Sequence, residues 1–313
     1  MLFLLLITSY KVYMGYRNIK IDSSIGLHIK NEQLVIGEKG ISFPLEDINC
    51  VLIENQAVTI SAYMLSEFAK QGIALYVCDE KHLPNAVLLP MAKHSRHFKL
   101  LIKQIEVGKP LIKRLWQQII VCKIKNQALC LKEMGLDGYE KLLSMTKEVQ
   151  SGDKTHVEAK AAAYYFRVLY GDEFTRADEC IVNSAMNYAY AIIRGLIARS
   201  VVCYGLEPSL GMFHHSELNG FNLVDDLIEV FRPLVDLYVA SHFDISEVDA
   251  DLTPQIKREL FNIINYDMSV KGEKRIISNC IDMLVYSYSG AIQGNRTDLE
   301  LPELIPLQMH SYE

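Results

Sequence analysis

The chain has 313 residues, half of them hydrophobic and 22% charged, which is ample for one large or two ordinary domains and excludes a disordered composition. Its seven cysteines, at 50, 78, 122, 130, 180, 203 and 280, contain no C-x-x-C pair, so they argue against a disulfide framework and a structural zinc site and fit a reducing, cytoplasmic setting. The net charge of −6 speaks against a nucleic-acid partner only as an average, because charge is unevenly spread.

The chain opens with the apolar run Leu2 to Ile7. It is far short of the roughly 20 residues a membrane span needs. No basic residue precedes it and no small-residue cleavage site follows, so it does not read as a secretory signal. Strand-like alternation begins directly after Met14, and residues 1–13 are expected to be a dispensable extension. From 16 to 90 the pattern is short, β-branched and punctuated by turns, with strands expected at 19–21, 26–29, 34–36, 41–43, 48–53 and 58–60. One helix is inserted: Ser61 can cap residues 62–71 and Gly72 can end them, before a strand over 73–78. After Pro90 apolar residues recur at i, i+3, i+4, giving helices over 119–131, 156–170, 183–204, 223–239, 254–264 and 274–288. The fold class is therefore α+β. A small β-sandwich-like domain (14–90) precedes a larger all-α domain (91–292), with extensions at 1–13 and 293–313.

Between residues 93 and 125 nine Lys and Arg stand against the single acid Glu106, a balance of +8 that leaves −14 for the rest. Lys93, Arg96, Lys99, Lys103, Lys113 and Arg114 lie here with His94, His97, Phe98 and Trp116. Cations interleaved with aromatics suit a phosphate backbone; a solvated helix face would look the same.

Two further segments carry chemistry. Glu158 sits at the start of an alanine-rich helix, whose small side chains let another backbone approach. A glutamate in a first helical turn also simply complements the helix dipole. The second segment runs from Gly211 through His214 and His215 to Asp225, Asp226, Glu229, Arg232 and Pro233. Asn222 is a suitable N-cap for its helix, and Pro233 should end or kink that helix just past the acids. An imidazole with two or more carboxylates is a mixed nitrogen and oxygen set that suits Mg²⁺ or Mn²⁺. Ordinary acidic solvation beside a loop histidine is the plainer alternative.

Taken together, these residues resemble the CRISPR spacer-acquisition integrase and endonuclease family, the larger of the two universal adaptation subunits. The likeness runs from Met14 to about Ile292. It rests on the strand series, Glu158 with Ala162 and Tyr165-Phe166, Asn183 with Asn187-Tyr188-Ala-Tyr190, the Gly-x-x-His214 loop, and Asp226-x-x-Glu229-x-Phe231-Arg232-Pro233. Cys78-Asp-Glu-Lys-His-Leu-Pro84, and His214-His215 followed by Phe221-Asn222-Leu223, are most similar to members that accompany single-effector, type II systems.

The resemblance implies a homodimer formed through the β domain and a helical catalytic domain. Glu158, His214 and Glu229 would bind Mg²⁺ or Mn²⁺, with Asp226 as a further ligand or a support. His215 and the basic stretch would meet DNA. The implied reaction is transesterification, in which a 3′-hydroxyl of spacer DNA attacks phosphodiesters at the edges of a CRISPR repeat. Implied partners are double-stranded DNA, a small ferredoxin-like adaptation subunit and other type II CRISPR proteins, without a membrane. Two rival classes stay open: a nuclease that hydrolyses branched or single-stranded DNA, and a non-catalytic DNA-binding assembly subunit.

Overall fold

β-Branched residues of alternating exposure open the described part of the chain. The computed structural model describes residues 17–37, 40–80, 83–90, 96–244 and 251–311, so the expectations for residues 1–13, Lys93 and His94 fall outside it. β1 (Arg17–Ile21) pairs in parallel with β5 (Ile48–Ile53), β5 in parallel with β6 (Ala74–Cys78), and β6 antiparallel with β7 (Pro84–Leu88). Parallel neighbours cannot be joined by tight hairpins and need crossovers. The first crossover is itself an antiparallel sheet of β2 (Leu27–Lys30), β3 (Gln33–Ile36) and β4 (Ile41–Pro44). The second is α1 (Ala62–Gln71), where the Ser61 hydroxyl accepts from the Met64 N–H at 3.1 Å and Gly72, at φ 74°, closes the last turn.

β5 is buried along its whole length, as a strand covered on both faces must be. Val51 and Ile53 join Ile19, Leu34, Met64 and Phe68 in one core, whereas Cys50 and Leu52 face the core of the helical domain. The N-terminal unit is thus a mixed one, with parallel pairs beside an antiparallel sheet. Residues 58–60, expected as a strand, are coil. Their alternation reflects Val58 and Ile60 resting on that core rather than ladder pairing.

The second domain contains α2 (His97–Glu106), α3 (Lys109–Glu133), α4 (Tyr139–Thr146), α5 (Val157–Tyr170), α6 (Ile181–Cys203), α7 (Asn222–Leu227), α8 (Arg232–His242), α9 (Pro254–Phe261) and α10 (Ile277–Ile292). α6 is buried almost all round, which makes it the central helix; α7, α8, α9 and α10 pack on it. α3 carries α4, α5 and α8 on its other side. Among the described residues no helix is long and apolar enough to cross a membrane.

This domain is not all-α. β8 (Asp267–Val270) and β9 (Glu273–Ile276) form a hairpin whose two turn residues, Lys271 and Gly272, both have positive φ (54° and 83°), the backbone sense that matches strand twist. The helix expected over 274–288 therefore starts only at Ile277. The stretch after residue 292, expected as an extension, packs into the domain: Leu299 and Leu304 are buried, the Leu304 N–H donates to Asn126 Oδ1 at 3.0 Å, and Asn126 Nδ2 donates to the Pro302 carbonyl at 3.0 Å.

Candidate active site

Three segments far apart in sequence meet beside the middle of α3. Glu158 lies in the first turn of α5, where a carboxylate would normally serve the helix dipole. Asp153 takes that task. Its side chain accepts from the Val157 N–H at 2.9 Å and the Glu158 N–H at 3.1 Å, across a turn in which Asp153 and His156 both adopt left-handed φ (45° and 53°). The Glu158 side chain is free to reach α3, and its Oε1 lies 2.5 Å from Lys123 Nζ.

The histidine loop is held from below by Asp226. Its buried carboxylate accepts from the backbone N–H groups of Met212, Phe213 and His214 and lies 2.7 Å from His214 Nδ1. A carboxylate only accepts, so Nδ1 carries a proton, and in the neutral ring Nε2 keeps its lone pair. The same hydrogen bond raises the His214 pKa against partial burial. Both Asp226 oxygens are thereby engaged, which fits support of the loop rather than ligation. Gly211 is required by closeness: a Cβ there would stand 2.3 Å from the His214 carbonyl and 2.9 Å from Asp226 Oδ2. Asn222, expected as an N-cap, is instead the first residue of α7 and forms no cap. Its amide donates to the carbonyls of Ser209 and Ser216, tying both sides of the loop. Phe213 stacks on Trp116 of α3, centroids 4.7 Å apart and planes 3° from parallel.

Glu229 lies where the expected single helix over 223–239 breaks. One 3₁₀ turn, Ile228–Val230, separates α7 from α8, and Pro233 sits in the first turn of α8. Glu229 Oε2 lies 2.5 Å from Lys123 Nζ, and Oε1 2.8 Å from Arg232 Nε. Burial would raise this carboxyl, but Lys123 and Arg232 hold it down at about 2. Arg232 lies over the Tyr190 ring, 4.6 Å from its centroid, and the Tyr190 hydroxyl donates to buried Asp236. Asp225, by contrast, turns away to Arg194 and Asn219.

The side chains thus bring two carboxylates to one point, with His214 close enough to feel the charge of Glu229. Among the described residues no three His, Cys, Asp or Glu side chains are gathered as tightly as an ion demands; the Lys123 ammonium stands between the two acids. The donors nevertheless fit a hard divalent cation. The set is two carboxylates and an imidazole nitrogen. Glu229 Oε2 is buried and accepts no aligned hydrogen bond, although a positive nitrogen lies beside it.

Lys123 is the residue the sequence reading misplaced. It was counted with the DNA-tracking cations, yet its side chain is only 9% exposed. Its signal was a lone charge among Ile119, Ile120, Cys122 and Ile124, seven residues after Trp116 and so on the same side of the helix. Trp116 likewise is a packing residue, 2% exposed, rather than a surface contact for DNA. The other basic candidates, Arg96 just before α2, Lys99 and Lys103 on α2, and Lys113 and Arg114 on α3, are exposed. Lys113 and exposed His215 line one open cavity of about 720 Å³ beside the histidine loop.

The Neisseria meningitidis (serogroup C, strain 8013) protein named CRISPR-associated endonuclease Cas1 is 42% identical over 304 residues, covering 96% of this chain and all of that one. A solved casposase bound to integration product superposes with a TM-score of 0.72 at 18% identity, over 96% of each chain. A chain of a partial Cas6-RT-Cas1–Cas2 complex does so at 0.64 and 14% identity, over 92% of this chain and 98% of that one. Both structural likenesses speak for the fold alone. The family model described as CRISPR associated protein Cas1 matches residues 21–280, and with the Neisseria relative it shows that the chain belongs to the Cas1 family.

Proposed function

We propose that this chain is the integrase and endonuclease of CRISPR adaptation, and that Glu158, His214 and Glu229 hold Mg²⁺ or Mn²⁺ while spacer DNA is joined to a CRISPR repeat. One observation carries the assignment of residues: Glu158 and Glu229, 71 positions apart, converge on a single cation position next to an imidazole whose free nitrogen is fixed by Asp226. Several kcal/mol oppose burying carboxylates together, and a cation between them offsets that cost. When bound, a divalent ion supplies the positive charge that activates a 3′-hydroxyl and stabilises charge on the phosphodiester under attack. The protein does the rest. Asp226 and Gly211 aim His214, Arg232 anchors Glu229, and exposed cations of α2 and α3 hold the backbone phosphates. In strand transfer one phosphodiester replaces another: the spacer 3′-oxygen bonds to phosphorus and the repeat-edge strand departs with its own 3′-hydroxyl.

The names of the Neisseria endonuclease and of the casposase bound to integration product support DNA as the substrate, and the Cas2 named in the second complex supports a second adaptation subunit, for which we infer a ferredoxin-like fold. A homodimer formed through a sandwich-like unit ending near residue 90, with catalysis between 91 and 292 and a type II setting, completes the reading. The deciding assay offers repeat DNA with spacer fragments ending in a 3′-hydroxyl or a 3′-deoxy group, in Mn²⁺ or EDTA. Joined product only with the hydroxyl and the ion supports the reading. Shortened DNA without joined product, from both fragments alike, would make the enzyme a hydrolytic nuclease. Product in EDTA would remove the ion.

A further inference from the structure

Lys123 cannot share its place with a metal ion. Its Nζ lies 2.5 Å from Glu158 Oε1 and 2.5 Å from Glu229 Oε2, so a magnesium ion held by the same oxygens, at its usual distance of about 2.0–2.1 Å, would need the same space. The two contacts are unequal. The one to Glu158 has hydrogen-bond alignment, whereas the one to Glu229 Oε2 is a short ion pair less well aligned. An entering ion therefore displaces the ammonium from both carboxylates, and Glu158, whose side chain is 27% exposed, can be re-solvated. Arg232 Nε holds the other oxygen, Glu229 Oε1, at 2.8 Å. Lysine also suits displacement: its compact charge rides on a stem of four rotatable bonds, whereas the guanidinium fork of arginine would clamp a carboxylate.

Resting on the metal reading above, we propose that Lys123 is the resident counter-cation of this site: its ammonium holds Glu158 and Glu229 together in the metal-free protein and is displaced when the divalent ion enters. Lys123 thereby sets how tightly the ion is held. It keeps the acid pair assembled when ion is scarce and makes loading a competition between two cations for one pair of carboxylates.

The test is direct Mn²⁺ binding to the metal-free full chain by titration calorimetry, paired with thermal melting with and without Mn²⁺. Lys123→Met, which keeps the length of the stem, should bind Mn²⁺ at least about tenfold more tightly than wild type. It should also melt lower without ion and gain more from Mn²⁺. Lys123→Arg, which keeps the charge and so the folded metal-free state, should bind Mn²⁺ more weakly than wild type. Equal or weaker binding by Lys123→Met, or tighter binding by Lys123→Arg, would overturn the proposal. A Glu229→Ala control separates the two readings. If it abolishes binding while both Lys123 variants match wild type, the metal site stands and the counter-cation role falls; if wild type and all variants fail to bind Mn²⁺, both fall.

Discussion

His214 and His215 are neighbours with opposite duties, because only one imidazole can sit on the Asp226 carboxylate. His214 has its Nδ1 there at 2.7 Å, and His215 lines the open cavity with Lys113. His214→Ala should abolish strand transfer while leaving DNA affinity nearly intact, and His215→Ala should retain most activity. A dead His215→Ala beside an active His214→Ala in Mn²⁺ would reverse the assignment. Two buried acids near this loop titrate in opposite senses. Glu229 is held at about 2, against an ordinary 4.5. Its contribution, roughly 3 kcal/mol, is complete above pH 4.5 and drains away as pH falls toward 2. Asp236 is raised to about 6 from 3.8, chiefly by burial and against its Tyr190 hydrogen bond and the nearby arginines. Its contribution is complete below pH 3.8 and is lost as pH climbs through 6. Asp236→Asn, which removes that titration, should therefore melt progressively higher relative to wild type between pH 4 and 7. A constant offset across that range would show that Asp236 does not titrate there.

Single turns decide which way these side chains face. The Asp153 cap frees Glu158 from dipole duty, so Asp153→Ala should cost about 1–2 kcal/mol of stability. It should also lower strand transfer more than DNA binding, because Glu158 loses its fixed helix start. A variant that melts lower but joins DNA at the wild-type rate would limit Asp153 to stability. How legible each element was follows from how local its cause is. α1 could be read to its ends because Ser61 and Gly72 are local signals that the backbone obeys. Glu158, His214 and Glu229 could be named, but from a family pattern; nothing in their spacing alone brings them together. The 3₁₀ break at Glu229 was legible only as a proline nearby. The β8–β9 hairpin was missed because Ile276, Ile277 and Ile281 continue a helical period across a boundary set by the Lys271-Gly272 turn. Lys123 was misplaced for a different reason. A charge count does not say which face of a helix a cation occupies, and here the partners that bury it come from two other segments.

Across the whole molecule, the β unit keeps a core of its own and lends one face of its main sheet to the core of the helical domain. Tyr76 of β6 lies over Gly195 of α6, where a Cβ would stand 2.0 Å from the ring, and its hydroxyl donates to the Ile192 carbonyl at 3.1 Å. Arg199 reaches from α6 to the Gly72 carbonyl and to Asp282 of α10. The side chains of the candidate site therefore stand on a body continuous with the β unit, and on the proposed reading DNA is gripped from outside it. The cations available for that grip lie on α2 and the first turns of α3, since Lys123 and Trp116 further along α3 face inward. Lys113 and Arg114 are both exposed and adjacent, and Lys113 also borders the cavity at the histidine loop. Their double replacement by Ala should weaken binding to DNA of any sequence. It should flatten the logarithmic salt dependence by about 0.9 for each lost phosphate contact, with no change in stability beyond about 0.5 kcal/mol. The measurement is DNA affinity at several salt concentrations, in EDTA so that ion loading does not enter. A slope equal to wild type would remove this face from the DNA path and leave it for a protein partner; a flatter slope with strand transfer restored at low salt would fix it as the backbone grip beside the acids.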